Sequence, residues 1–476
     1  MTRELSRRHF LVAAVGLGAS TAVASCAPAA RIPVAGPVPT GPVSQDVTLR
    51  AAATQVDLAG RTAAVWTYDG ALPGRAIRAR IGERVRITLR NDLPEETSIH
   101  WHGLAVPNAM DGVPGVTTPA VASGESFTYD FVVPTAGTHW FHPHTGLQLD
   151  TGLYAPFVVE DPADDADEEW ILVLDDWTQG VGQEPQQIFD DLVAAGQRSR
   201  GGMMHGGMDH GMGMSGGDVT YPLFLINGRP SADPDALRVR PGAEVRLRII
   251  NAGADTVFRF AVGGHRLTVT HTDGFPIRPV EARSVRIGMG ERYDVTLRVG
   301  DGVFPVVAEP EGKAGYALAV LRSGEGAATG MGRPVELDAP VPIASSLRAA
   351  PAVQLPATEP AIVHDVALSG SMAPYEWRIN GSSYGHGEAL TVGSGEMLRL
   401  RMSNMTMMSH PMHLHGHTFQ VGPAGAGGAR KDTILLSPMT RVDVDVVADN
   451  PGSWMLHCHN AYHAEAGMMT RLDYTT

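Results

Sequence analysis

One ten-residue pattern occurs three times in this chain, and that repetition constrains the fold more than any other feature. Gly82-Glu-Arg-Val-Arg-Ile-Thr-Leu-Arg-Asn91 returns as Gly242-Ala-Glu-Val-Arg-Leu-Arg-Ile-Ile-Asn251 and as Gly395-Glu-Met-Leu-Arg-Leu-Arg-Met-Ser-Asn404. Each copy alternates apolar and charged side chains, the period of a strand with one face in a core and the other in solvent. A tight-turn cue precedes each copy: Tyr68-Asp-Gly, Ile226-Asn-Gly and Ile379-Asn-Gly. The body is therefore expected to be all-β, three related units that are each a Greek-key sandwich or barrel. The 55 glycines and 34 prolines suit so many turns. The units are expected at 46–165, 166–336 and 361–476, with a linker at 337–360.

The first 45 residues stand apart. Arg7-Arg8 followed by Phe10-Leu11 resembles a twin-arginine export signal, and Val23-Ala-Ser-Cys26 resembles a lipobox whose cysteine would carry a lipid. An ordinary signal peptide is the alternative. Residues 1–26 are read as this signal and 27–45 as a Pro-rich tether, so the expected address is extracytoplasmic, lipid-anchored to the cell envelope. No later stretch offers 18 uncharged apolar residues. A net charge of −14 makes nucleic acid a poor partner. With two cysteines there is no disulfide framework, and Cys458 is the only thiol of the body.

Histidines follow the repeat. His100-Trp-His102 and His142-Pro-His144 lie in the first unit, His413-Leu-His415 and His457-Cys-His459 in the third. The shift from 100 to 413 is 313, equal to the shift from 82 to 395, and from 142 to 457 it is 315. In a strand, residues i and i+2 share a face, so each pair aims two imidazoles at one target. Eight imidazoles are too many for one tetrahedral ion. They suit several metals held between two domains, with the middle unit, which lacks such pairs, as a spacer. In His457-Cys458-His459 the thiol faces away from its neighbours. With His410, His463 and Met468 it completes two histidines, a thiolate and a thioether, the donor set of a blue-copper electron-transfer centre.

Taken together, His100-Trp-His-Gly103, His139-Trp-Phe-His-Pro-His144, His410-Pro-Met-His-Leu-His-Gly-His417 and His457-Cys-His through Gly467-Met468 resemble the four copper signatures of the multicopper oxidases. The resemblance spans nearly everything after the tether. It implies three cupredoxin-like Greek-key β-sandwich domains and four coppers per chain. His410, Cys458, His463 and Met468 would hold type 1 copper, and His100 and His413 type 2. His102, His142, His144, His415, His457 and His459 would hold the type 3 pair. It also implies one-electron oxidation of a reducing substrate and reduction of O2 to water.

Other residues carry open readings. Asp111 matches a family position that relays protons, or is an Asp-Gly turn. Some bacterial relatives carry an acid directly after the second type 1 histidine; here that position is Ala464, which leaves Glu465 open as a proton or substrate group. His139 and His417 are read as structural, and His265, His271, His364 and His386 as bland. Within 201–217, Met203, Met204, His205, Met208, His210, Met212 and Met214 lie in a Gly-rich background, either soft ligands for Cu(I) or a low-complexity insertion. Met405, Met407 and Met408 either extend a soft path toward His410 or fill a strand. The expected activity is Cu(I) oxidation in copper tolerance. A laccase-like oxidase of phenols and aromatic amines, an Fe(II) or Mn(II) oxidase, and a non-catalytic copper carrier are the alternatives.

Overall fold

The computed structural model describes residues 41–162, 166–201, 216–326 and 332–475. The export signal with Cys26, and Met203, Met204, His205, Met208, His210, Met212 and Met214 of the insertion, lie outside the described residues.

The three copies form three equivalent strands. Arg84–Asn91, Glu244–Asn251 and Met397–Asn404 each pair in parallel on one side, with Gln45–Asp57, Glu168–Trp177 and Ile362–Met372. On the other side each pairs antiparallel, with Ser126–Val132, Arg292–Arg298 and Arg441–Val447. The sheets built on these strands have four, seven and six strands, and each is accompanied by a second sheet of four, five and five. In the first unit Leu49, Ile87 and Phe131 of one sheet meet Ala79, Trp101 and Phe157 of the other in a single core. Three β-sandwiches result, as expected.

The turn cues work through backbone sterics. Asp69, Asn227 and Asn380 have φ of 53°, 53° and 52°, each followed by a glycine with positive φ, the geometry of a tight hairpin turn. Each also accepts a hydrogen bond from a neighbouring strand, from the N–H of Arg50, Val173 and Ala367 respectively. The asparagine ending each repeat strand is equally regular. Asn91, Asn251 and Asn404 donate Nδ2 to loop carbonyls and accept from the backbone N–H two residues on. In the outer units Asn91 and Asn404 thereby pin the loops that lead to His100–His102 and His410–Leu414.

The middle copy departs from the expected half-exposed strand. Arg246 and Arg248 are buried rather than solvated, both paired to Asp294. Thr138 of the first unit donates to Asp294 and accepts from Arg248, so the polar face of the second sandwich is covered by the first. Alternation describes a strand's two faces, not what later packs on them.

The sequence reading also held no helix, and Pro185–Gly201 is one, 17 residues long. A Cβ at Gly196 would lie 2.5 Å from the backbone N of Tyr375, so this helix rides directly on the third sandwich. No helix among the described residues is long and apolar enough to cross a membrane.

Candidate metal centre

Two short strands from each outer sandwich carry the imidazoles. His100–His102 pairs antiparallel with Gly137–His142, setting His100 opposite His142. His410–Leu414 pairs antiparallel with Ser453–Cys458, setting His413 opposite His457 and Met412 opposite Cys458. The two ribbons meet face to face. His100 stacks on His415 and His102 on His413, each with ring centroids 3.7 Å apart. All eight expected imidazoles come together, from residues more than 300 positions apart in the chain.

Their nitrogens converge in three groups: His100, His102 and His413; His102, His142 and His459; and His144, His415 and His457. Nε2 to Nε2 separations are 3.3 Å for His100–His413, 3.4 Å for His142–His459, 3.5 Å for His144–His457 and 3.0 Å for His415–His457. Two nitrogens each about 2 Å from one ion at a tetrahedral angle lie about 3.3 Å apart.

The hydrogen bonds behind the rings decide the tautomers. Nδ1 of His100, His142, His413 and His457 sits 2.9–3.0 Å from the carbonyl oxygens of Asp111, Pro143, Asp432 and Cys458. A carbonyl only accepts, so Nδ1 carries the proton and Nε2 presents a lone pair inward. In His415 the same is done by the carboxylate of Asp111, 3.0 Å from Nδ1. His102 is reversed. Its Nε2 lies 3.1 Å from the Asp432 carboxylate, and its buried Nδ1 has no protein partner.

Burial pushes the imidazoles of His102, His142, His144, His415, His457 and His459 well below their usual range, and His413 below it. Neutral rings whose lone pairs face one another repel unless a cation lies between them. The donor set fits copper.

On the far side of the Ser453–Cys458 strand, His410, Cys458 and His463 form a separate group. The two Nδ1 atoms are 3.1 Å apart, and the Cys458 Sγ lies 3.6 Å and 3.7 Å from them. Here Nε2 is the tethered nitrogen. That of His410 donates to Thr406 Oγ1 at 2.7 Å, and Thr406 is held in turn by Asn404, the last residue of the third repeat. That of His463 donates to Asp218 at 3.1 Å. Burial opposes charging His463, but Asp218 and Cys458 outweigh it and push the ring up to about 10 without metal. Met468 is buried, its backbone bonded to Cys458 and His463. Asn460 caps the Ala461–Glu465 helix that presents His463, accepting from the N–H of Tyr462 and His463.

The remaining expectations divide. Asp111 does occupy a tight turn before Gly112, and it is also fully buried behind His100 and His415. Glu465 touches neither group of imidazoles directly. It lines a cavity of about 170 Å³ that reaches His142, His144, His457 and His459, and burial raises its carboxyl. His417 bonds the His415 carbonyl and Tyr474. His139 is buried with neither ring nitrogen hydrogen-bonded, and burial holds it down to about 3. Met405 and Met407 are exposed, so they do not fill a strand, whereas Met408 packs partly on the core. Sequence reasoning missed Asp218, Asp432 and Arg292. None of them belongs to the His-x-His spacing or to the quoted ten-residue repeat.

Models of the multicopper oxidase family match residues 50–164, 168–326 and 357–476. The chain is 27% identical to the copper resistance protein A homolog of Pseudomonas syringae pv. tomato, over 98% of this chain and 99% of that one. Among solved structures, the laccase from Botrytis aclada superposes with a TM-score of 0.74 at 26% identity, covering 91% of this chain and 88% of the laccase. The multicopper oxidase MmcO of Mycobacterium tuberculosis is 44% identical over 99% of this chain and 97% of its own. With a relative that similar along its whole length, the chain belongs to the multicopper oxidase family, copper oxidoreductases with type 1, type 2 and type 3 centres.

Proposed function

We propose that this enzyme is an exported, lipid-anchored cuprous oxidase serving copper tolerance, with the balance 4 Cu(I) + O2 + 4 H⁺ → 4 Cu(II) + 2 H2O. His410, Cys458, His463 and Met468 are read as the type 1 ligands, and His100 and His413 as type 2. His102, His142, His144, His415, His457 and His459 are read as the type 3 ligands. Bound there, copper supplies one-electron redox chemistry and the reduction of dioxygen.

The observation that carries the substrate choice is where the borders of the Met/His-rich insertion lie. On one side, Gly196 of the helix entering it packs on Tyr375. On the other, Asp218 bonds both His463 and the Tyr375 hydroxyl. The residues flanking a segment rich in thioethers and imidazoles therefore both pack at Tyr375, and Asp218 also holds His463; such soft donors suit Cu(I). Exposed Met405 and Met407 flank Thr406, which holds the other type 1 ring, His410, and exposed Met439 bonds Thr406 through its backbone. Copper resistance protein A among the relatives agrees with this reading, and Cys26 would tether the enzyme to the envelope.

Deleting 203–214 is expected to lower kcat/KM for Cu(I) more than about tenfold, equivalent to about 1.4 kcal/mol of lost binding. Turnover of a phenol should be kept. Oxygen uptake with each substrate measures both, and unchanged Cu(I) turnover would refute the assignment. A laccase-like reading is favoured instead if the phenol rate falls and the Cu(I) rate does not.

Cys458 is joined by peptide backbone to His457 and His459, so the thiolate of one centre is covalently continuous with two imidazoles of the other. Asp111 holds His415 and stands beside His100, placed to pass protons to the oxygen-reducing side. Asp111→Asn is expected to cut kcat about 100-fold with copper content and blue absorbance retained, and by the same factor for Cu(I) and a phenol. Wild-type rates would reduce Asp111 to a tether. Glu465, on the cavity that opens toward the type 3 rings, is read as a second proton group.

A further inference from the structure

Among the described residues the middle sandwich contributes no imidazole to the cluster, yet one of its side chains is built into it. Arg292 is fully buried and makes a two-pronged ion pair with Asp432, Nη1 to Oδ1 and Nη2 to Oδ2, both 2.6 Å. Its Nε donates to the carbonyl of Thr138 at 3.0 Å, and Nη1 also donates to that of Gly290 at 3.1 Å. One guanidinium thus ties the first, second and third sandwiches at a single point. A Cβ at Gly103 would lie 2.2 Å from Arg292 Nη2 and 2.8 Å from Asp432 Oδ2, so the chain passes this pair with no room for a side chain.

Asp432 is the contact that matters. Its Oδ1 receives the Nε2–H of His102 from the first sandwich and the hydroxyl of Thr433 at 2.8 Å, and its carbonyl receives the Nδ1–H of His413 at 3.0 Å. It therefore sets the tautomers of the stacked His102–His413 pair, including the reversed ring of His102. The Asp432 carboxylate that receives His102 is fully buried, and a buried carboxylate is costly without a matched cation. A planar fork matches both oxygens at once and also fixes their orientation.

We propose that Arg292 is a positioning residue for the trinuclear copper site: acting through Asp432, it holds His102 and His413 in the orientation and tautomers that aim their lone pairs into the cluster. The spacer domain is then part of the metal site. This rests on the reading of His102 and His413 as copper ligands.

The test uses the copper-loaded full-length protein. Arg292→Lys keeps the charge but loses the fork. Removing partners behind a metal ligand typically costs 10–100-fold in metal affinity, so its type 2 and type 3 copper should be lost to a chelator at about 10–100-fold lower concentration. Its type 2 EPR signal should shift, while the type 1 blue absorbance stays at wild-type strength. Asp432→Asn, which keeps the shape, should shift the same signals if the lysine variant fails to fold. Arg246→Lys disturbs another buried ion pair of the middle sandwich, that with Asp294, which also accepts a hydrogen bond from Thr138 of the first, and should leave both signals unchanged.

Wild-type type 2 and type 3 properties in the folded Arg292→Lys or Asp432→Asn protein would overturn the proposal. So would an equal loss in Arg246→Lys, which would reduce Arg292 to a domain tie. Should the wild type itself bind one copper rather than four, it is the ligand reading that fails.

Discussion

Cys458→Ser is expected to abolish the blue absorbance and lower turnover of every reducing substrate by more than about 100-fold, beyond the usual cost of losing an outer partner of a metal ligand. Cys458 is the free cysteine of the described body, and its Sγ stands within 3.7 Å of the Nδ1 atoms of both His410 and His463. A serine hydroxyl is a harder donor and a far weaker acid, so neither the soft ligand nor its charge survives. The eight imidazoles of the other centre lie across the strand, and copper analysis should still find about three ions per chain. Blue colour or full activity in this variant would place the electron-transfer centre elsewhere.

Acidification should unfold the copper-free protein well before the loaded one. Ten imidazoles, those of His102, His139, His142, His144, His410, His413, His415, His417, His457 and His459, are held below their usual value by burial. Below about pH 6.5 the unfolded chain takes up protons that the folded rings refuse. Each ring then costs about 1.4 kcal/mol of stability per pH unit. Four buried carboxyls raised by burial, Asp150, Asp175, Asp176 and Asp273, pull the other way as the pH falls. Glu465 adds a smaller pull in that direction. His463, raised to about 10, contributes stability that is complete below about pH 6.5 and is lost only as the pH rises through 10.

The balance is about six imidazoles, or about 8 kcal/mol per pH unit, comparable to the whole stability of a domain. Between pH 7 and 5.5 the Tm of the copper-free protein should drop by about 10 °C. The loaded form begins higher by the free energy of metal binding and should stay folded over that range. A flat Tm for the copper-free protein, read by differential scanning fluorimetry, would mean that these rings titrate freely.

How much was legible in advance differs residue by residue. The four His-x-His pairs could be read because two imidazoles on one strand face demand a spacing of two, and duplication printed that spacing twice. Cys458 could be read because a thiol between two such histidines must face away from them. Asn404 was visible as the end of a repeat, but its hold on His410 through Thr406 depends on a loop conformation that spacing does not encode. Asp432, Asp218 and Arg292 lie outside the His-x-His spacing. Each acts on an imidazole that is distant in the chain, so each becomes meaningful only once three sandwiches are packed. The burial of Arg246 and Arg248 was hidden for the same reason: their alternation predicts a solvated face, and the first domain covers it.

The chain alone determined the all-β architecture, its threefold internal kinship and the copper donor types. These follow from local chemistry: side-chain alternation, turn sterics, and the few residue types that bind a soft or borderline metal. Tertiary structure alone decided which nitrogen of each ring faces the cluster, which carboxylate stands behind it, and that the middle domain, which has no His-x-His pair, reaches the site through Arg292. Hydrogen bonds and buried charges act over about 3 Å in space, with no regard to distance along the chain.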